Sequence, residues 1–251
     1  MQQAQAIIER VRRVSASTQH LDLAVEKSQR NVEAGQIFLA RRTESSDPYL
    51  REPWTPVSRN GGTVVVERPA TQHYTPGDVV NLIGPVGKPI PLRDTARNLL
   101  LIAYDSAPTS LLMLADDALR KKMAVTLALV GTALHYPLDG LSQEIEIIRG
   151  DSEGAWPEQA ETLRWAEQIV AVAPPPFDLL HYGRLLSALQ DIRLDVPSDY
   201  AYVLYQPPMP CGVGACRACL LDYGKEEAMA CQDGPAFDLI KLKAVTREAG
   251  R

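Results

Sequence analysis

The residues of this 251-residue chain best suited to chemistry are its four cysteines, all within one short window: Cys211-Gly-Val-Gly-Ala-Cys216-Arg-Ala-Cys219, then eleven residues, then Cys231. The spacing C-x4-C-x2-C…C is the ligand pattern of a plant-type [2Fe–2S] centre. Two irons bridged by two sulfides need four thiolates, so a loop carrying three must curl around the cluster while the fourth arrives from a later segment. Gly212 and Gly214 suit that loop, because glycine adopts positive φ and lets the backbone approach the sulfides. Such a centre passes one electron at a time and performs no bond chemistry of its own, so the first expectation is electron transfer. Two other readings stay open. Structural zinc also takes four thiolates, usually from two short C-x2–4-C knuckles, whereas here only Cys216 and Cys219 make such a pair. Paired thiols would require an oxidising compartment.

Composition narrows the class. With 45% hydrophobic and 23% charged residues the chain reads as an ordinary soluble globular protein. A formal charge of −5 argues against nucleic acid or an anionic membrane as partner. No apolar run approaches the roughly 18 residues of a membrane helix, and the start MQQAQAIIERVRR has no secretory h-region. The expectation is a cytoplasmic protein.

The elements that must position the cysteines follow from pattern and punctuation. Prolines cluster at joints: Pro48, Pro53 and Pro56, then Pro85, Pro89 and Pro91, Pro174 to Pro176, and Pro207, Pro208 and Pro210. Residues 1–94 read as all-β. Gln19–Glu26 and Gly62–Glu67 alternate at period two, and Gly35–Arg41 and Asp78–Ile83 are further strands. Short strands separated by turn signals predict an antiparallel barrel or sandwich. Residues 95–205 change grammar. Continuous apolar strands at Leu99–Ala103, Ala124–Val130, Glu144–Ile148, Gln168–Ala173 and Ala201–Tyr205 alternate with helical patterns at Ser110–Lys122, Glu158–Trp165 and Phe177–Gln190. That alternation predicts a parallel, Rossmann-like α/β domain, with Ala201–Tyr205 closing the sheet. Residues 206–251 are then a small cluster-binding appendage held largely by its metal centre. The fold class is α+β and multidomain. Trp54, Trp156 and Trp165 read as packing residues, and the four histidines as surface or core residues.

Barrel, Rossmann-like domain and C-terminal cluster loop, in that order, resemble the electron-transfer subunit of NAD-linked dihydroorotate dehydrogenase, within the ferredoxin–NADP reductase superfamily. The resemblance rests on Cys211–Cys219 and Ala230-Cys-Gln-Asp-Gly-Pro-Ala-Phe237 for the cluster, Gly84-Pro-Val-Gly-Lys88 for the end of the flavin barrel, and Gly35-Gln-Ile-Phe-Leu39 for the strand ahead of the flavin motif. It implies a [2Fe–2S] centre on Cys211, Cys216, Cys219 and Cys231. It also implies FAD held near Arg51, Pro53, Thr55, Gly84 and Gly87, and single-electron passage between that flavin and a separate catalytic flavoprotein subunit that oxidises dihydroorotate, in a hetero-oligomer. No catalytic residue is expected on this chain.

Two motifs depart from the family. Its flavin motif is Arg-Pro-x-Ser/Thr, but Leu50-Arg-Glu-Pro-Trp-Thr55 places Glu52 at the arginine position. A carboxylate repels a phosphate, and Arg51, one residue away in a strand, points to the opposite face unless the chain bulges at Pro53. The dinucleotide turn after the first Rossmann strand has no glycine: it reads Ala103-Tyr-Asp-Ser-Ala-Pro108, and the later segment that faces the nicotinamide reads Val172-Ala-Pro-Pro-Pro176. These departures argue against NAD. They also leave an alternative function, a non-enzymatic cluster-bearing accessory subunit that has lost both nucleotides.

Overall fold

The computed structural model describes residues 2–43, 50–176, 178–242 and 245. Pro48 of the first proline joint and Phe177, the expected start of a helix, lie outside them.

Seven strands form the first layer: β1 (Gln2–Arg13), β2 (Thr18–Ala24), β3 (Ile37–Arg42), β4 (Glu52–Trp54), β5 (Pro56–Asn60), β6 (Thr63–Pro69) and β7 (Val79–Val86). They hydrogen-bond antiparallel in the order β4-β3-β7-β1-β2-β6-β5 and curl into a nearly closed barrel. Period-two alternation decides which side chains enter it. Leu21 and Leu23 of β2, Val64 and Val66 of β6, and Val80 and Leu82 of β7 are buried around Phe38 and Trp54. Strand β1 was not anticipated. Its inward residues include the small Ala4 and Ala6, which with Ile8 face the core between glutamines and arginines, so the apolar signal is faint.

The second layer contains β8 (Asn98–Tyr104), α1 (Thr109–Arg120), β9 (Ala124–Val130), β10 (Ile145–Arg149), α2 (Gln159–Trp165), β11 (Gln168–Val172), α3 (Asp178–Ile192) and β12 (Ala201–Leu204). Strands β10-β9-β8-β11-β12 are parallel in that order, with α1 covering one face and α2 and α3 the other. Leu99 to Ala103 are fully buried because both faces are covered, which is why that stretch is apolar without alternation.

The C-terminal segment adds the hairpin β13 (Leu220–Tyr223) and β14 (Glu226–Met229), then β15 (Ala236–Asp238). Here the structure corrects the expected sheet. β12 is not its edge, since β15 pairs antiparallel with β12 as a sixth strand. The cluster-bearing segment is therefore not held by a metal centre alone. Its Cys219, Ala228, Ala230, Cys231, Phe237 and Leu239 share one apolar core with α3 and the parallel sheet. Asp238, 1% exposed, ties the junction by accepting the backbone N–H groups of Asp199 (3.0 Å) and Ile240 (3.3 Å) and by meeting Lys241 at 3.1 Å. Among the described residues no helix is long and apolar enough to cross a membrane.

Candidate functional site

The four thiols converge from two directions. Cys211, Cys216 and Cys219 lie on a loop that leaves β12, and Cys231 follows the β13–β14 hairpin. The loop is shaped by residues in the left-handed region: Gly212 (φ +64°), Gly214 (φ +76°) and Arg217 (φ +57°). Gly212 packs so closely on the barrel that a Cβ there would sit 2.6 Å from Leu39 of β3, and one at Gly214 would meet the Gln232 side chain at 2.7 Å. Gln232 in turn donates to the carbonyl of Val213 at 2.8 Å, clipping the three-cysteine loop to the turn that bears Cys231.

The sulfurs sort into two pairs. Cys219 Sγ lies 3.3 Å from Cys231 Sγ, and the Cys216 amide donates to Cys211 Sγ at 3.5 Å. Burial opposes ionisation of Cys211, but backbone N–H groups of Cys216, Val213 and Ala215 outweigh it and pull the thiol down to about 7. Burial and the neighbouring Cys219 thiol push Cys231 up to about 12, against an opposing hydrogen bond from the Gly214 amide. A loop whose amides face sulfur is the kind of backbone concavity that holds iron–sulfur clusters. No three His, Cys, Asp or Glu side chains gather around a single ion position among the described residues. Two pairs of thiols beside inward amides fit two irons with two thiolates each, whereas a lone tetrahedral zinc needs all four at one point.

The barrel reaches this region through Gly84–Lys88. Gly87 (φ +89°) lies against the cluster segment, where a Cβ would stand 2.7 Å from the Gly234 carbonyl oxygen. The Lys88 amide donates to that same oxygen at 2.6 Å, and Lys88 Nζ meets Asp233 at 3.1 Å. Asp233 is held below the usual carboxylate range, chiefly by the Met229 amide and further by Lys88. Gly84 (φ +156°) admits Phe38 of the barrel core, 2.6 Å from where its Cβ would be. Gly87→Ala is expected to cost about 1–3 kcal/mol through the forced left-handed backbone and to lower the urea midpoint of the purified protein.

Between the layers lies a cavity of about 320 Å3, lined by Pro53, Thr55, Glu67, Arg68, Thr109 and Val172 among others. It opens at the carboxyl ends of β8 and β11, where the strand order reverses and open α/β sheets bind ligands. Pro53 and Thr55 of the expected flavin residues line it; Arg51, Gly84 and Gly87 do not. Arg51 instead donates to the Asn81 carbonyl of β7 at 2.9 Å.

Sequence reasoning missed two residues here, Arg68 and Glu67 of β6. Arg68 brings a guanidinium to the flavin-motif segment. It donates to Glu52 (2.6 Å), Gln72 (2.9 Å) and the Pro53 carbonyl (3.2 Å), lies 5.0 Å over the Trp54 ring, and its buried Nε finds no partner among the described residues. Glu67 accepts from Tyr136 (2.6 Å) and Thr109 and lies 3.2 Å from His20, joining the barrel to the start of α1. Burial, then the Glu67 charge, raise the Tyr136 phenol far above its ordinary value. The only sequence signal for either residue was a charged pair ending a valine run, and nothing local names their partners.

Against this geometry the known relatives can be placed. Residues 206–243 match the family described as the iron–sulfur cluster binding domain of dihydroorotate dehydrogenase B. The chain is 25% identical over 244 residues to the dihydroorotate dehydrogenase B (NAD(+)) electron transfer subunit of Bacillus caldolyticus, covering 90% of this chain and 93% of the relative. It is 30% identical over 189 residues to the probable subunit of the same name from Methanopyrus kandleri, covering 70% of this chain and 67% of that one. The chain belongs to the dihydroorotate dehydrogenase B electron-transfer subunit family. Among solved structures, one from a study of electron bifurcation by the NADH-dependent reduced ferredoxin–NADP oxidoreductase superposes with a TM-score of 0.73 at 17% identity, over 98% of this chain and 93% of that one. The ferredoxin reductase of carbazole 1,9a-dioxygenase follows the same fold at a TM-score of 0.61 and 18% identity, over 80% and 68%.

The turn after β8, which lacks glycine, is occupied by Asp105 and its partners. Asp105 (φ +45°) ends β8; its Oδ1 accepts the Thr132 amide at 2.9 Å and its Oδ2 lies 3.2 Å from His181 Nε2. The His181 ring stacks on Tyr104 at 4.9 Å. Burial lowers the His181 pKa, partly countered by Asp105 and Asp178 while Arg184 adds to the depression. The unfolded chain therefore binds this proton more readily, so stability falls as pH drops below about 6.5, the ordinary histidine value. Urea midpoints measured from pH 8 to pH 5 should decline over the acid half, and His181→Gln should flatten that decline.

Proposed function

We propose that this chain is the electron-transfer subunit of a dihydroorotate dehydrogenase-like oxidoreductase. It carries [2Fe–2S] on Cys211, Cys216, Cys219 and Cys231 and passes single electrons between a flavin and a catalytic flavoprotein partner in a cytoplasmic hetero-oligomer. The observation that carries this reading is the seating of the four-thiol loop, packed through Gly212 and Gly87 against the barrel and through β15 into the parallel sheet. One cluster position is thereby fixed relative to both layers. Val213, Ala215, Cys216, Arg217 and Ala218 are exposed around it, which gives a partner's redox centre access to the cluster edge.

When bound, the cluster supplies one-electron transfer and a flavin converts pairs of electrons into single ones. This chain's contribution is placement. Thr55 offers a hydroxyl to the interlayer cavity, and Arg68, in place of the family's motif arginine, offers the guanidinium for a flavin's phosphates. Residues 1–94 would then form the flavin layer, 95–205 the Rossmann-like layer and 206–251 the cluster-binding unit.

The accessory-subunit reading has one observation in its favour: the charge of Arg68 is already balanced by Glu52. The test is reduction of the anaerobic, cluster-loaded chain by dihydroorotate in the presence of a dihydroorotate dehydrogenase B catalytic subunit. Bleaching of the cluster bands that requires both components is expected. An unchanged spectrum would overturn the assignment, and flavin released on denaturation separates a flavoprotein from an accessory subunit.

A further inference from the structure

We infer that the dinucleotide turn of the Rossmann-like layer is filled by this chain's own carboxylates, Glu67 and Asp105, and that the protein does not exchange electrons with a nicotinamide dinucleotide. The inference rests on the proposed function and deepens it by narrowing the class of redox partner that meets the flavin end of the path.

A dinucleotide is held where the first parallel strand turns into its helix. Backbone N–H groups and the positive helix end face the pyrophosphate, and glycines let the chain approach it. Here several of those places are occupied. The turn after β8 has Asp105 where a small residue would admit phosphate, and its carboxylate already accepts the Thr132 amide at 2.9 Å. The fit is tight: a Cβ on Gly131 would strike Asp105 Oδ1. The start of α1 is capped by Pro108, which has no N–H to offer, and Thr109 donates its hydroxyl to Glu67 from the barrel. Glu67 is 7% exposed at its side chain, is also bound by the Tyr136 hydroxyl, and lines the same interlayer cavity. At the end of β11, the Ala173 amide, free in an open strand end, is taken by the Tyr182 hydroxyl at 3.0 Å. Tyr182 donates onward to Leu204 at 2.6 Å.

An incoming pyrophosphate would therefore meet the Glu67 carboxylate at the start of α1 and the Asp105 carboxylate in the turn that precedes it. Like charge disfavours it at both places, most at the buried Glu67. The Thr132 amide and the Thr109 and Tyr136 hydroxyls, donors beside this turn, are already engaged with those same carboxylates. The residues present do not fit NAD or NADP, although the relatives named above carry NAD(+) in their names.

The experiment is calorimetric titration of the flavin- and cluster-loaded protein with NADH and NADPH, for the native chain and for Glu67→Gln/Asp105→Asn. Both amides keep the shape and most of the hydrogen bonds, and unchanged iron content and thermal midpoint verify the fold. The native chain is expected to show no saturable binding tighter than about 1 mM, the weak end of ordinary substrate affinities. The double variant is expected to gain at least about tenfold in affinity once the two charges are gone. Tight binding by the native chain would overturn the inference, and so would a double variant with no gain. Neither result bears on whether iron is bound, so failure here is distinct from failure of the proposed function.

Discussion

Serine at any one of Cys211, Cys216, Cys219 or Cys231 is expected to bleach the anaerobically purified protein and to take its iron from about two per chain to a small fraction of that. A serine hydroxyl is a poor substitute for a thiolate toward iron, and each iron has only two protein ligands to lose. The four variants should differ in a second readout. Cys216 is exposed, so Cys216→Ser tests ligation with little effect on packing. Cys219 and Cys231 are 1% and 2% exposed within the core shared with α3 and Phe237. A hydroxyl left there without a partner adds about 1–3 kcal/mol of destabilisation, so those variants should also melt earlier. Iron retained at full content in all four would contradict the site. Bleaching by Cys219→Ser and Cys231→Ser alone would reduce it to a packing effect.

Removing Arg68 is expected to strip the flavin while leaving iron untouched. Its guanidinium is the only cation among the described residues lining the interlayer cavity, is 10% exposed, and is held in place by Glu52, Gln72, the Pro53 carbonyl and the Trp54 ring. A hydrogen bond to a charged group contributes about 1.5–3 kcal/mol, so Arg68→Met should weaken flavin binding about ten- to a hundredfold. Methionine keeps the apolar stem over Trp54, which separates lost charge from lost packing. Arg68→Lys should fall between, since it keeps the charge and loses the fork. Arg51→Met is the control: its side chain serves the Asn81 carbonyl, and flavin content should not change. Equal flavin loss in the Arg51 and Arg68 variants would return the clamp to the flavin-motif segment itself.

Much of this arrangement is legible in the sequence, and what is not has a common cause. Continuous apolar runs such as Leu99–Ala103 read as parallel strands covered on both faces, and β8 is one. The cysteine spacing points to a cluster because a loop ligand set is local. β1 was missed because Ala4 and Ala6 bury little apolar surface, so the alternation hardly registers against its glutamines and arginines. β15 was missed because three residues after a proline carry no periodicity; only the buried Asp238 and Phe237 reveal the strand once β12 is beside them. Arg68, Glu67 and His181 were missed for a third reason. Each works through partners roughly 16 to 76 positions away, Glu52 for Arg68, Tyr136 for Glu67 and Asp105 for His181, and spacing along a chain says nothing of such pairs. The sequence did flag Glu52 and Asp105 as misfits. The structure shows what each is paired with.

The central claim is that this scaffold exists to hold a two-iron cluster in contact with both of its layers. Metal and acid-labile sulfide analysis of the anaerobically purified chain, with an electron paramagnetic resonance spectrum after dithionite reduction, tests it most directly. About two irons and two sulfides per chain are expected, with a one-electron signal that appears only on reduction. Zinc without sulfide, or a chain that stays spectroscopically silent after reduction with iron present, would contradict it.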